Sequence, residues 1–204
     1  MSIRENIDCI LKRVNDACEK TGRNPEDITV VAVSKTVDYQ RAKEAVEAGI
    51  NNLGENRVQE LVSKYEELKS TDVKWHMIGH LQKNKVKYII DKTELIHSVE
   101  SLELAEEINK RAIKNNLTAN VLIELNIGEE ESKFGINEEN VYNFLSSMEK
   151  FENIKVLGLM TVAPFCENPE NVRWVFKKMK NIYDKASTMK LQNVQMKYLS
   201  MGMT

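Results

Sequence analysis

Lys35 is the residue in this sequence whose type and position are best suited to covalent chemistry. It follows Ser34 and an apolar, β-branched run at residues 28–33, and such a run is typical of a buried strand. Burial favours the neutral form of a lysine amine, and a neutral amine attacks carbonyl carbons to form Schiff bases. Two interpretations follow: Lys35 is a Schiff-base lysine, or it marks the point where the strand reaches solvent.

Hydrogen-bonding residues follow the other predicted strands as well. They occur within residues 54–57, 79–83, 97–98, 124–126, 160–161 and 200–204. The last group contains Ser200 and Gly202, and a small hydroxyl residue with a glycine at a strand end can expose backbone N–H groups to an anion. Short strings of this kind are common, so a phosphate site is only one interpretation of this segment.

The three histidines do not have the spacing of a shared metal site. His76 and His80 are predicted within a strand and at its exit, roughly 13 Å apart, which is too far for one ion. His97 lies in an apolar run and is predicted to be a buried histidine with a hydrogen-bond partner. Residues 129–131 are acidic and predict a solvated loop.

The elements that would position these residues alternate between strands and helices. After an N-terminal helix at residues 2–19, strands are predicted at 29–34, 51–55, 73–78, 95–99, 121–126, 155–161 and 198–201. Helices are predicted at 38–48, 57–69, 82–90, 102–114, 138–150 and 169–189. This alternation predicts parallel strands joined by crossover helices. Seven repeats favour a (β/α)8 barrel that is one unit short, with chemistry at the carboxyl ends of its strands; an open doubly wound sheet is the alternative.

Composition excludes several classes of protein. The chain has 204 residues and 42% hydrophobic content, which predicts a single domain over residues 1–204. A net charge of −2 gives no basic field for nucleic acid or an anionic membrane. No apolar run approaches the roughly 20 residues of a membrane helix, and the charged N-terminus is not a signal peptide. The three cysteines lack metal-ligand spacing, so a reduced, cytoplasmic protein is predicted.

Six segments together resemble one known family. They are VAVSKT (31–36), GENRVQE (54–60), WHMIGHLQKNK (75–85), ESKFG (131–135), GLMT (158–161) and LSMGM (199–203). On these motifs, which span nearly the whole chain, the sequence is identified as a member of the pyridoxal phosphate homeostasis protein family, related to the alanine racemase N-terminal barrel.

The resemblance implies a barrel that holds pyridoxal 5′-phosphate (PLP). It implies that Lys35 forms the internal aldimine, that Asn56 lines the cofactor ring and that His80 lies at the barrel mouth. It further implies that Met160 lies near the ring. The phosphate cradle would begin with Ser200, Gly202, Met203 and Thr204.

The chain departs from the family at its C-terminus. Family members usually continue through a last strand and an arginine-glycine turn to a final helix, whereas this sequence ends at Thr204. The resemblance therefore predicts a barrel that lacks its eighth strand and last helix, with half of the phosphate site missing and open edges on strands one and seven.

The sequence is compatible with four functions. The first is a PLP carrier or regulator, which would pass PLP to amino acids or PLP-dependent apoenzymes. A monomer is expected for such a protein. The second is a PLP-dependent racemase or decarboxylase, which requires an acid–base group on the second face of the cofactor. A Schiff-base aldolase would hold its lysine on strand six, where this chain has Met160 and Thr161. A surface-only interaction protein is the fourth. The PLP carrier, without robust catalysis, is the predicted function.

Overall fold

A computed structural model describes residues 1–128, 134–164 and 166–202. The chain divides into two compact units, Met1–His76 and Met77–Thr204, and each is described by itself. Among the described residues, no helix is both long and apolar enough to cross a membrane.

The first unit contains three helices and the first three strands. Its helices are α1 (Ile3–Thr21), α2 (Tyr39–Glu47) and α3 (Val58–Leu68), and its strands are β1 (Ala32–Val33), β2 (Asn52–Glu55) and β3 (Lys74–Met77), which ends at the unit boundary. Local sequence signals set the helix starts. Ser2 and Glu5 form a capping box on α1, and the Asp38 carboxylate accepts a hydrogen bond from the Arg41 N–H at the start of α2, as its position before the helix predicts.

One apolar cluster of the first unit lies where α1 and α2 meet the chain around β1. Ile7, Ala45 and Ile50 are buried there, and partly buried apolar residues pack against them: Ile3, Val30, Ala32 and Ala48. β1 pairs in parallel with β2, with Ala32 opposite Leu53.

The prediction of a buried first strand was wrong in length and in burial. β1 covers only Ala32–Val33, and Val33 is 49% exposed. In the strand order of the sheet β1 stands at one end, so its side chains lack cover from a strand on the second side. An apolar β-branched run predicts a strand, but the degree of burial depends on the neighbours that the strand acquires.

The second unit contains the remaining strands and helices. Its strands are β4 (Thr93–Val99), β5 (Ala119–Glu124), β6 (Ile154–Met160) and β7 (Val194–Ser200), and its helices are α4 (Leu102–Lys114), α5 (Val141–Ser147) and α6 (Arg173–Ser187). β4 pairs with β5, β5 with β6 and β6 with β7, all in parallel. Buried apolar side chains of β4, β5 and β6 meet on one face of these strands, at Leu95, Leu122 and Met160.

In the sheet the strands follow chain order from β1 to β7. A doubly wound sheet reverses its strand order at a switch point, whereas a barrel adds each strand next to the previous one. The order therefore confirms the α/β barrel-type fold over the doubly wound alternative.

Several predicted elements differ in detail. Residues Lys83–Tyr88 form a 3₁₀ helix where an α-helix was predicted. The predicted helix at 138–150 consists of α5 with a short 3₁₀ segment at each end. β7 begins at Val194, four residues before the predicted start, because the alternation of apolar and polar residues at 194–197 is strand periodicity.

Gly158 permits an irregularity in β6 at the point where the backbone of β7 approaches closely. Its φ is +148°, and an added Cβ would lie 1.9 Å from the backbone oxygen of Tyr198. The register between β6 and β7 shifts between Val156 and Gly158, as in a β-bulge. Only glycine allows this close approach, and the bulge determines which side chains at the end of β6 share a face with those of β7.

Candidate functional site

Lys35 lies on a tight turn immediately after β1. The Val37 N–H donates to the Ser34 carbonyl at 3.1 Å, and the Ser34 N–H donates to the Gly54 carbonyl of β2 at 3.0 Å. Ser34 is buried, but Lys35 itself is exposed, so the lysine lies where the strand reaches solvent, as the second of the two interpretations expected. The turn carries the primary amine at the carboxyl end of β1, as the sequence predicted.

Residues of β2 and α3 hold this turn. The Lys64 ammonium donates to the Ser34 carbonyl and to the Glu55 carboxylate, each at 2.6 Å. The Ser34 hydroxyl donates to the same Glu55 oxygen at 2.6 Å. On the other side of Lys35, the Thr36 N–H donates to the Glu60 carboxylate at 3.0 Å. The turn is therefore anchored by side chains that the sequence did not single out for this role.

Asn56 follows β2 as Lys35 follows β1. Val33 pairs with Gly54 in the parallel register, and Lys35 and Asn56 each lie two residues beyond that pair. Carboxyl ends of adjacent parallel strands meet at one edge of a sheet, so the structure brings these two predicted site residues to the same edge. Asn56 is half-buried.

In the second unit, His80 joins a small cluster at the ends of its strands. Its Nδ1 lies 3.0 Å from the Glu100 carboxylate, and its ring stacks on Phe134 with centroids 3.9 Å apart. The other Glu100 oxygen accepts a hydrogen bond from the Gly135 N–H at 3.2 Å. His80 is exposed, and this exposure is compatible with the position at the barrel mouth that the resemblance implies.

Met160 and Ser200 end neighbouring strands. The register places Met160 of β6 opposite Ser200 of β7 and opposite Glu124 of β5. Met160 is buried, at 4% exposure. Gly202 follows β7 and is exposed. The structure thus brings Met160 and Ser200 together, while Met203, Thr204 and the predicted acidic loop at residues 129–131 lie outside the described residues.

The predicted buried histidine has a partner at this site. His97 is 4% exposed, and its Nδ1 lies 3.0 Å from the Ser200 hydroxyl oxygen. A buried polar ring of this kind requires such a partner, so the prediction of a satisfied core histidine is confirmed. The identity of the partner, a predicted phosphate-cradle residue, was not foreseen.

Glu124 is a titratable group that the sequence placed at a strand end without assigning it a role. It is 8% exposed and lies opposite Met160 in the register. Burial, aided by the nearby negative charge of Glu100, raises its pKa from 4.5 to about 7. An acidic residue at the end of an apolar strand was the available signal, but its pKa depends on the tertiary surroundings.

His76 of β3 is a second buried titratable group, in the first unit. Its Nε2 lies 3.0 Å from the Asn52 side-chain oxygen, to which a ring N–H donates. Burial, aided by the positive charge of Lys74, lowers its pKa from 6.5 to about 4. Within the described ranges, no cluster of three or more histidine, cysteine or acidic residues has the geometry to hold a metal ion.

Comparison with known proteins places the chain in a family. The sequence profile described as "Alanine racemase, N-terminal domain" matches residues 5–204. The pyridoxal phosphate homeostasis protein of Aquifex aeolicus is 45% identical over 204 residues, which are 100% of this chain and 89% of that protein.

Two solved structures are also similar. A protein of unknown function from Bifidobacterium adolescentis superposes with a TM-score of 0.92 at 29% identity, covering 98% of this chain and 85% of that one. PipY of Synechococcus elongatus, solved with PLP bound, has a TM-score of 0.80 at 26% identity, covering 94% of this chain and 89% of that one. The identity and coverage shared with the Aquifex protein, together with the profile match, show that the chain belongs to the pyridoxal phosphate homeostasis protein family.

Proposed function

We propose that this protein binds PLP as a Schiff base on Lys35 and acts as a carrier in PLP homeostasis. The observation that carries the proposal is the anchored turn, which presents the Lys35 amine at the carboxyl end of β1 beside the end of β2. Family membership supports PLP as the ligand, as does the PLP bound in the PipY structure.

The residues present fit this cofactor by their chemistry. Lys35 offers the primary amine that an aldehyde needs, and Ser200 offers a hydroxyl to an anion. An added Cβ at Gly202 would meet nothing within 4 Å, so an anion can approach its backbone. The buried Met160 offers an apolar thioether surface for a ring. These residues, with Asn56 and His80, are the proposed cofactor site.

When bound, PLP supplies an aldehyde whose carbon condenses with a primary amine to form a C=N bond with loss of water. The protein residues bind and orient. Lys35 provides the amine, and the fixed turn restricts the positions that this amine can reach. Ser200, the last residue of β7, has its hydroxyl oxygen 3.0 Å from His97 Nδ1, and this contact restricts the orientation of its side chain.

A carrier needs only reversible exchange between Lys35 and an incoming amine. Free amino acids and the active-site lysines of apoenzymes are the proposed recipients, and the protein is proposed to act as a monomer in the cytoplasm. The single PLP-binding domain over residues 1–204 likewise stays a prediction. A racemase or decarboxylase would need a further acid–base group acting on the second face of the cofactor, and we expect neither activity above a trace.

The test is an absorption spectrum of the purified protein with PLP, followed by borohydride reduction and peptide mass mapping. We expect the reduced adduct on Lys35, its loss in Lys35→Ala, and its retention in Lys43→Ala, which removes a surface lysine of α2 that pairs with Glu47. An adduct retained in Lys35→Ala would move the site to another lysine. Absence of any adduct in the unaltered protein would refute the proposal.

A further inference from the structure

The Lys35 turn contains a strained residue. Thr36 has φ +62°, a left-handed conformation that is rare and strained for a β-branched residue. Turns with a positive φ at the third position usually have glycine there. Because this conformation is intrinsically unfavourable for threonine, surrounding contacts must hold it.

Two side chains of α3 provide those contacts. Glu60 and Lys64 are four residues apart and therefore lie on one face of the helix. The Lys64 ammonium donates to the Ser34 carbonyl, in the peptide group on the N-terminal side of Lys35, at 2.6 Å. The Glu60 carboxylate accepts from the Thr36 N–H, in the peptide group on the C-terminal side of Lys35, at 3.0 Å. Both peptide groups that flank Lys35 are thus held by one helix face.

Burial of the charged Lys64 side chain carries a desolvation cost. The Lys64 side chain is 8% exposed and its partner Glu55 is fully buried. Glu55 Oε2 has no hydrogen-bond partner within the described part of the chain. Buried ion pairs often contribute less stability than apolar side chains of the same volume. Stability alone is therefore a weak reason for charged residues here, and a role in geometry is favoured.

We propose that Glu60 and Lys64, with Glu55 as the buried counterion, are positioning residues that fix the Lys35 turn for Schiff-base formation. This inference rests on the proposed function at Lys35. The Lys35 side chain is long and exposed, so its backbone is the part that the protein can hold. Fixing that backbone limits the volume that the amine searches, and this raises the rate at which it meets a bound aldehyde.

The rate of adduct formation and the affinity for the ring and phosphate can be measured separately. The rate of covalent adduct formation with PLP depends on the position of the Lys35 amine. The affinity for pyridoxine 5′-phosphate, which has no aldehyde, reports only non-covalent binding of the ring and phosphate. Loosening the turn should slow the first and leave the second unchanged.

The experiment compares Glu60→Ala with Glu60→Gln. Alanine removes the acceptor for the Thr36 N–H, whereas the glutamine amide oxygen can still accept it. We expect borohydride-trapped adduct on Lys35 to form roughly tenfold more slowly in Glu60→Ala, since a lost hydrogen bond to a charged group is worth about that factor. Glu60→Gln should restore most of the rate. Lys64→Met should also slow adduct formation, whereas Lys69→Met, a matched change at an exposed lysine of the same helix region paired with Glu66, should not.

Pyridoxine 5′-phosphate affinity should stay within about twofold of the unaltered protein in both Glu60 variants, since no ring or phosphate contact is removed. Adduct formation at the normal rate in Glu60→Ala would overturn the inference. A glutamine variant as slow as the alanine variant would do so too, as would a parallel loss of pyridoxine 5′-phosphate affinity. The Glu60 variants test the positioning role even if Lys64→Met does not fold. Absence of a Lys35 adduct in the unaltered protein would instead refute the proposed function, and this inference with it.

Discussion

Replacing Glu124 with glutamine is expected to stabilise the protein above neutral pH while leaving its stability in acid unchanged. Glu124 is buried at the end of β5 near the negative charge of Glu100, and its pKa is raised to about 7. Ionisation of such a group is disfavoured in the folded chain. Glutamine has nearly the same shape but carries no charge at any of these pH values.

The sign and the size follow from the two pKa values. The unfolded chain releases the Glu124 proton near its ordinary pKa of 4.5, whereas the folded chain retains it to about 7. Between these values the folded state binds more protons, so the free energy of unfolding falls as pH rises, by roughly 1.4 kcal/mol per pH unit. The total loss is about 3 kcal/mol above pH 7 and zero below pH 4.5.

The assay is urea unfolding of both proteins at constant ionic strength from pH 4 to pH 8.5. The difference in free energy of unfolding, Glu124→Gln minus unaltered, should rise from near zero and level off at about 3 kcal/mol above pH 7. Glu106→Gln, at an exposed position of α4, is the matched control, because it makes the same carboxylate-to-amide change at the surface.

Two further results test whether burial and Glu100 raise the pKa of Glu124. In a Glu100→Gln background the Glu124→Gln difference should level off at a lower pH and at a smaller value, because Glu100 contributes to the raised pKa of Glu124. A difference curve for Glu124→Gln that stays flat across the whole range would show that the folded protein does not resist ionisation at this position, and the argument from burial would be wrong.

His76→Gln should show the opposite pH dependence, because the pKa of His76 is lowered to about 4: the free energy of unfolding of the variant minus that of the unaltered protein should rise by roughly 3 kcal/mol as pH falls from 6.5 to 4. A parallel acid titration of the two proteins would contradict this. Gly158→Ala should cost roughly 3 kcal/mol in thermal unfolding, because its Cβ would overlap the Tyr198 carbonyl. Gly49→Ala, where φ is +103° and the space is open, should cost about 1–2 kcal/mol from backbone strain alone, and equal losses would show that the overlap is not the cause.

The sequence by itself determined the elements whose signals are local. The helix predicted at residues 102–114 is α4 at its observed bounds, Leu102–Lys114, and the Ser101 hydroxyl that precedes it accepts a hydrogen bond from the Leu104 N–H. Asp38 and Gly49 likewise marked the ends of the helix between β1 and β2. Alternation of such elements predicted the parallel α/β fold, because crossover helices leave few other arrangements. The six motifs together, among them those around Lys35 and Asn56, were sufficient to identify the family.

The tertiary structure decided the properties that depend on distant neighbours. His97 and Ser200 are 103 residues apart in sequence yet in hydrogen-bond contact, and no local pattern encodes that pairing. The contacts of Glu60 and Lys64 with the Lys35 turn depend on how α3 lies against β1 and β2. The exposure of β1 and the raised pKa of Glu124 have the same origin. Burial and electrostatics arise from which surfaces meet, whereas helix caps and strand periodicity act within a few residues.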